Sequence, residues 1–129
     1  MTVTETASVA LSISEVAAQT GLTTSTLRYY EQEGLLRGEI DRASSSHRRY
    51  SDQDVRWVSF ITKLRATGMP IRDIRRYTEL AREGDHTTPA RLALLVEHRE
   101  RVFAQLADIE QSLATIDFKI ATYERFTTR

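Results

Sequence analysis

A mainly α fold with one long C-terminal helix is what this 129-residue chain predicts, and three observations predict it. From Leu92 to Tyr123 apolar residues recur at alternating spacings of three and four: Leu92, Leu95, Arg99, Val102, Leu106, Ile109, Leu113, Ile116, Ile120 and Tyr123, with Arg99 as the one break. Upstream, helix-capping signals head several shorter stretches of helical apolar spacing. The composition agrees, since 40% hydrophobic and 28% charged residues with five Gly and two Pro suit a helical globular chain rather than a disordered, collagenous or membrane one.

Taken in order, residues 1–10 are Thr-rich, lack periodicity and read as a flexible tail. Ser12 and Glu15 have capping-box spacing, and Ile13, Val16 and Ala17 share a face, so a helix is expected from about Ile13 to Thr20, ended by Gly21. Thr23 caps a second helix, Thr24 to about Glu33, with Leu27 and Tyr30 spaced for burial and Gly34 at its end. The polar stretch between Leu36 and Tyr50 has no helical stripe and reads as a loop or short β-hairpin. Ser51 with Asp54 opens a third helix whose apolar face holds Val55, Trp57, Val58, Ile61 and Leu64, stopping at Gly68. Pro70 restarts a helix carrying Ile71, Ile74 and Leu80 to about Arg82. Residues 11–83 therefore form a head, and 84–88 a linker. Thr88 as cap and Pro89 at the first helical position open the long helix, 89–125.

A stripe of two apolar residues in seven is a coiled-coil seam. It extends about 50 Å at 1.5 Å per residue, more than the rest of the chain is large enough to cover. A homodimer follows. Arg99 in such a seam is costly without a counter-charge. If the paired helices run antiparallel and centre near Ala107, it meets Asp117 of the partner subunit and fixes the register.

Net charge is zero, but the distribution is uneven. Residues 28–76 carry eleven Arg or Lys against seven Asp or Glu, a balance of +4, while residues 77–129 carry seven against nine, a balance of −2. A basic front on an acidic stem suits a polyanion-binding face. No cysteine is present, which excludes disulfides, thiolate zinc sites and thiol redox sensing. No apolar run approaches the ~20 residues needed to span a bilayer, and the N-terminus lacks a signal-peptide pattern. The expectation is a bacterial cytoplasmic protein, nucleoid-associated and without membrane contact.

Ala17, Gly21 and Leu27 supply a small residue at a helix crossing, a residue tolerant of the turn, and an apolar anchor under the second helix. That is what a helix-turn-helix requires. Its second helix offers Thr24, Ser25, Thr26, Arg28 and Tyr29, which suit groove edges and phosphates. With an Arg-rich hairpin behind it, the head reads as a winged helix-turn-helix. A dimer of such heads matches a pseudo-palindromic double-stranded site. The plain alternative is a small helical bundle, since Ala and Gly at this spacing also arise by chance.

These residues also carry a resemblance. Residues 13–36, ISEVAAQTGLTTSTLRYYEQEGLL, and HRRYSDQDV from His47 closely resemble the MerR family of bacterial transcription regulators. LRATGMPIRDI from Leu64, RLALLVEHRERV from Arg91 and DFKIATYE from Asp117 resemble its small members near the aldehyde- and thiol-stress branch. The likeness covers residues 11–125, with TLRYYE its most specific part. It implies a wing after the recognition helix, an antiparallel dimer helix, and control of transcription by bending and untwisting an overlong promoter spacer, so that RNA polymerase is reached indirectly through DNA. By the same resemblance, recognition-helix contacts fall on Thr24, Thr26, Arg28, Tyr29 and Tyr30, and wing contacts on Arg42, Arg48 and Tyr50. Ser12, Ser25 and His47 complete the candidate DNA-binding set. The family often has Arg at the position of Ser25 and Gly-Tyr at Ser46-His47. Stress-sensing relatives carry a cysteine where this chain has Lys63, so thiol alkylation is not its signal.

Single residues have competing readings. Arg28 is a phosphate or guanine contact, or a solvated charge. Tyr29 and Tyr30 are adjacent and face different ways, which favours Tyr30 partly in the core and the Tyr29 hydroxyl towards DNA. Arg48 and Arg49 alternate across a hairpin, and Arg48 is the one matching the family contact. His47, His86 and His98 are too scattered for a metal site, so neither metal nor another cofactor is expected. Trp57 with Tyr77 or Tyr123 borders an effector pocket or belongs to the core. The chain leaves no room after the seam for a separate ligand domain, so any small-molecule effector would use a crevice between the dimer helix and the heads, or there is none. No paired carboxylates, activated nucleophile or phosphate loop points to an enzyme. The competing function is an architectural or excision-type DNA bender without promoter control.

Overall fold

The computed structural model describes residues 10–38, 41–42 and 48–128. Its elements are α1 (Ile13–Thr20), α2 (Thr24–Gln32), β1 (Asp41–Arg42), β2 (Arg48–Arg49), α3 (Asp52–Ala66), α4 (Ile71–Glu83), a 3-10 turn (Asp85–Thr87) and α5 (Thr88–Thr127). Residues 1–9 of the tail expected over 1–10, and the candidate contact His47, lie outside the described residues.

Local chemistry accounts for the helix ends. The Ser12 hydroxyl accepts from the Glu15 amide at 3.2 Å while the Glu15 carboxylate accepts from the Ser12 amide at 2.8 Å, a reciprocal capping box. The same box recurs at α3, where Ser51 and Asp54 exchange bonds of 2.8 and 3.1 Å. Gly21 takes φ +75° to close α1, a conformation open to glycine because it has no Cβ.

α1 and α2 pack together and α1 also packs on α3, with α4 against α3. Their shared interior holds Val16, Leu27, Tyr30, Leu35, Tyr50, Val58, Ile61 and Ile74, each with 0 or 1% of its surface exposed. β1 and β2 pair antiparallel with Asp41 opposite Arg49 and Arg42 opposite Arg48, so the polar stretch does contain a hairpin. The hairpin is anchored to the start of the head. Leu11 and Tyr50 exchange backbone hydrogen bonds of 2.8 and 2.7 Å.

Two local expectations change at the α4–α5 junction. Residues 85–87 form a helical turn, and Thr88 is already helical with φ −51° and ψ −44°. Its hydroxyl donates to the Asp85 carbonyl at 2.7 Å instead of accepting as a cap. The chain divides into two compact units after Leu92. The second consists of the rest of α5, whose 40 residues extend about 60 Å. Along it Leu106, Ile109, Leu113, Ile116, Ile120 and Tyr123 are 50 to 63% exposed, with Leu92 at 59%. Leu95 and Val102 are half-buried and Arg99 is exposed. His98 is buried.

Candidate nucleic-acid interface

α2 begins at Thr23, whose hydroxyl oxygen accepts from the Thr26 amide at 3.0 Å and donates its hydrogen to the Thr26 hydroxyl at 3.0 Å. Its first turn carries no acidic residue, so the partial positive charge of the helix N-terminus is left unneutralised by its own side chains. Leu27 and Tyr30 turn inward. Ser25, Arg28, Tyr29 and Gln32 are exposed, and positions i, i+3, i+4 and i+7 form one continuous stripe on the opposite face. Gln32 completes that stripe although the sequence reading stopped at Tyr29. Extending the helical spacing from Ser25 by seven residues is the signal that finds it.

Arg65 of α3 places its guanidinium 5.3 Å from the Tyr29 ring centre and 5.6 Å from that of Tyr30. Such a cation over two rings steadies Tyr29 at the edge of the stripe and adds positive charge beside it.

Two candidate contacts belong to the interior. Tyr30 is 1% exposed, with its hydroxyl 3.0 Å from the Thr62 hydroxyl. Thr62 spends its single hydrogen on the Val58 carbonyl, so Tyr30 is the donor and its polar end is occupied. Tyr50 is fully buried because its backbone pairing with Leu11 draws it into the core. Both belong to the core of the head. Thr24 and Thr26 are half-buried, and Ser12 is half-buried with its oxygen engaged in the α1 cap. Arg42 and Arg48 are a registered pair of the hairpin.

The segment after α2 is held by side chains that sequence reasoning did not single out. Arg75 donates from Nε to the Glu33 carbonyl at 2.8 Å and pairs with the Glu33 carboxylate. Thr78 approaches the Leu35 carbonyl at 3.4 Å, and Trp57 donates its indole N–H to the same oxygen at 2.8 Å. Arg82 donates from Nε to the Arg37 carbonyl at 2.9 Å and from Nη2 to that of Leu36. Irregular backbone has carbonyls without ladder partners, and these donors supply them. They fix the backbone of residues 33–37, where the chain leaves α2. Among the described residues no group of three His, Asp or Glu could hold a metal ion, and no helix is long and apolar enough to cross a membrane.

The family model of MerR HTH family regulatory proteins matches residues 11–80, the whole of this head up to Leu80. The chain belongs to the MerR family. A second MerR model, described as DNA binding, matches residues 55–117. An HTH-type transcriptional regulator of Haemophilus influenzae is 34% identical over 111 residues, spanning 86% of this chain and 82% of that one. The regulator AdhR of Bacillus subtilis is 41% identical over 92 residues, spanning 71% of this chain and 65% of its own length. Among solved structures, HiNmlR, a MerR family regulator lacking the sensor domain and bound to promoter DNA, matches with TM-score 0.83 and 32% identity over 91% of this chain and 92% of that one. A MerR regulator from Bacillus thuringiensis matches with TM-score 0.80 and 32% identity over 88% and 99% of the two chains. This MerR chain keeps Lys63, exposed on α3, where the sequence resemblance places a cysteine in stress-sensing relatives.

Proposed function

We propose that this MerR protein binds a pseudo-palindromic, double-stranded promoter as a homodimer and controls transcription by distorting the spacer between two promoter elements. Each subunit sets α2 into a major groove and its wing on the neighbouring backbone. The observation that carries this reading is the exposed Ser25, Arg28, Tyr29 and Gln32 stripe on the second helix of a MerR head. Arg28 suits phosphate or guanine, Gln32 suits an adenine edge, and Ser25 suits either. Arg42, Arg48 and His47 complete the wing contact in this reading, with Thr24 and Thr26 at the edge of the stripe.

Pairing of α5 with its copy in antiparallel fashion would cover the seam and set the distance between the two reading heads. A fixed distance that mismatches the relaxed promoter is what turns binding into twist and bend. Arg99 against Asp117 of the partner subunit would then define register. The protein acts on RNA polymerase through DNA, in the bacterial cytoplasm and nucleoid, and performs no chemistry of its own.

Footprinting with purified polymerase on the region upstream of its own gene tests the reading. Protection of two half-sites, with transcription that changes when the protein is added, is expected. Protection of one half-site, or two-site binding without any transcriptional change, overturns it, and the latter outcome identifies an architectural bender.

A further inference from the structure

A groove of about 510 Å³ opens on the head between the chain that enters the wing, the start of α3 and the end of α4, lined by Arg37, Gln53, Trp57 and Arg82 among others. A second depression of about 290 Å³ shares Arg37, Gln53 and Trp57 and adds Arg56 and Phe60, so the two are lobes of one concavity. Its size lies within the roughly 300 to 1,000 Å³ of small-molecule pockets. None of the exposed α2 stripe lines it.

The lining selects charge and shape together. Among the described residues three guanidiniums line it with one carboxylate, that of Asp54, which is already accepting from the Ser51 amide at 2.8 Å. Arg82 is engaged with the Leu36 and Arg37 carbonyls. Neither Arg37 nor Arg56 has a carboxylate partner among the described residues. Trp57 is half-exposed yet immobilised, because its ring stacks on Tyr77 with centres 5.6 Å apart and planes 17° apart while its N–H is tied to Leu35. Phe60 beside it is 36% exposed. A rigid aromatic wall in a groove also lined by two arginines that have no carboxylate partner among the described residues fits a flat ring bearing an anion, since guanidinium forks match a carboxylate and aromatic rings stack.

We infer that this groove binds a small planar aromatic carboxylate, with the ring against Trp57 and Phe60 and the carboxylate on Arg37 or Arg56. The site belongs to the head alone and is separate from the proposed DNA-reading stripe, so it stands or falls independently of promoter control.

Titrating the intact protein with benzoate and naphthoate tests it, read by calorimetry and by the indole N–H resonance of Trp57, the sole tryptophan. Benzamide and naphthamide are the uncharged controls. Saturable shifts with the carboxylates are expected, weakened about tenfold or more by loss of the charge in the amides or by Arg37→Gln or Arg56→Gln. Both variants should bind operator as the parent does when no ligand is present. An absence of saturable binding at millimolar concentration overturns the inference, as does equal binding of the amides. Loss of operator affinity with a shallower salt dependence in the ligand-free arginine variants overturns it too, assigning the groove to DNA phosphate instead.

Discussion

Arg28 and Tyr30 sit two residues apart in α2 and do different work. Arg28 is exposed in the centre of the stripe, so Arg28→Ala should weaken operator binding by about 1 to 3 kcal/mol while leaving thermal unfolding unchanged, as checked by gel-shift titration beside a melting curve. Tyr30 donates to Thr62 from inside the head. Tyr30→Phe should cost about 0.5 to 1.5 kcal/mol in urea unfolding, with the operator affinity of the folded protein retained. The opposite pattern in either variant would exchange the two roles. Both tyrosines of TLRYYE fit the family contact set equally well, so the motif alone does not separate them. The three-residue step from Leu27 to Tyr30 does, because it puts Tyr30 on the buried face. Tyr50 offered no such step: its burial comes from pairing with Leu11, on the far side of two helices in sequence.

Among elements, α4 is the one whose role the sequence concealed. Its start at Ile71 after Pro70 and its apolar positions were legible from spacing, as was the Ser51–Asp54 box that opens α3. Its polar face was not. Arg75, Thr78 and Arg82 follow i, i+3 and i+7 spacing, and they reach carbonyls at residues 33–37 that lie 42 to 46 positions earlier in the chain. Nothing local marks an arginine as a backbone clamp, and a charge count places Arg75 on the polyanion face. Arg82→Gln should therefore act at a distance. With the Leu36 and Arg37 carbonyls released, the entry to the wing loosens, amide exchange quickens in β1 and β2, and operator affinity falls by on the order of 1 kcal/mol. Hydrogen-exchange mass spectrometry reads the first effect; unchanged exchange in the hairpin would mean that Arg82 holds nothing the wing needs.

At the scale of the whole molecule, the seam of α5 was the most legible feature because its spacing is strict over ten positions, and the exposure of its Leu and Ile side chains in the single chain agrees. Direction is harder to read than existence, since an apolar stripe pairs with itself either way. An antiparallel pair centred between Ala107 and Asp108 sets every seam residue opposite another: Leu92 with Tyr123, Leu95 with Ile120, Arg99 with Ile116, Val102 with Leu113 and Leu106 with Ile109 of the partner subunit. In that register Asp117 of the partner subunit flanks the position facing Arg99, which accounts for a cation in an apolar row. The chain has no cysteine of its own, so introduced thiols report cleanly. Val102→Cys combined with Leu113→Cys should form an intersubunit disulfide under mild oxidation, because facing seam positions lie within the ~7 Å Cα separation such a bond tolerates. Leu113→Cys alone should not, since the two copies of residue 113 would then stand about 16 Å apart along the axis, eleven residues at 1.5 Å each. A parallel pair would link the single variant as well, through identical positions. That outcome on a non-reducing gel would remove the geometric basis for two reading heads held at a fixed distance on a palindrome.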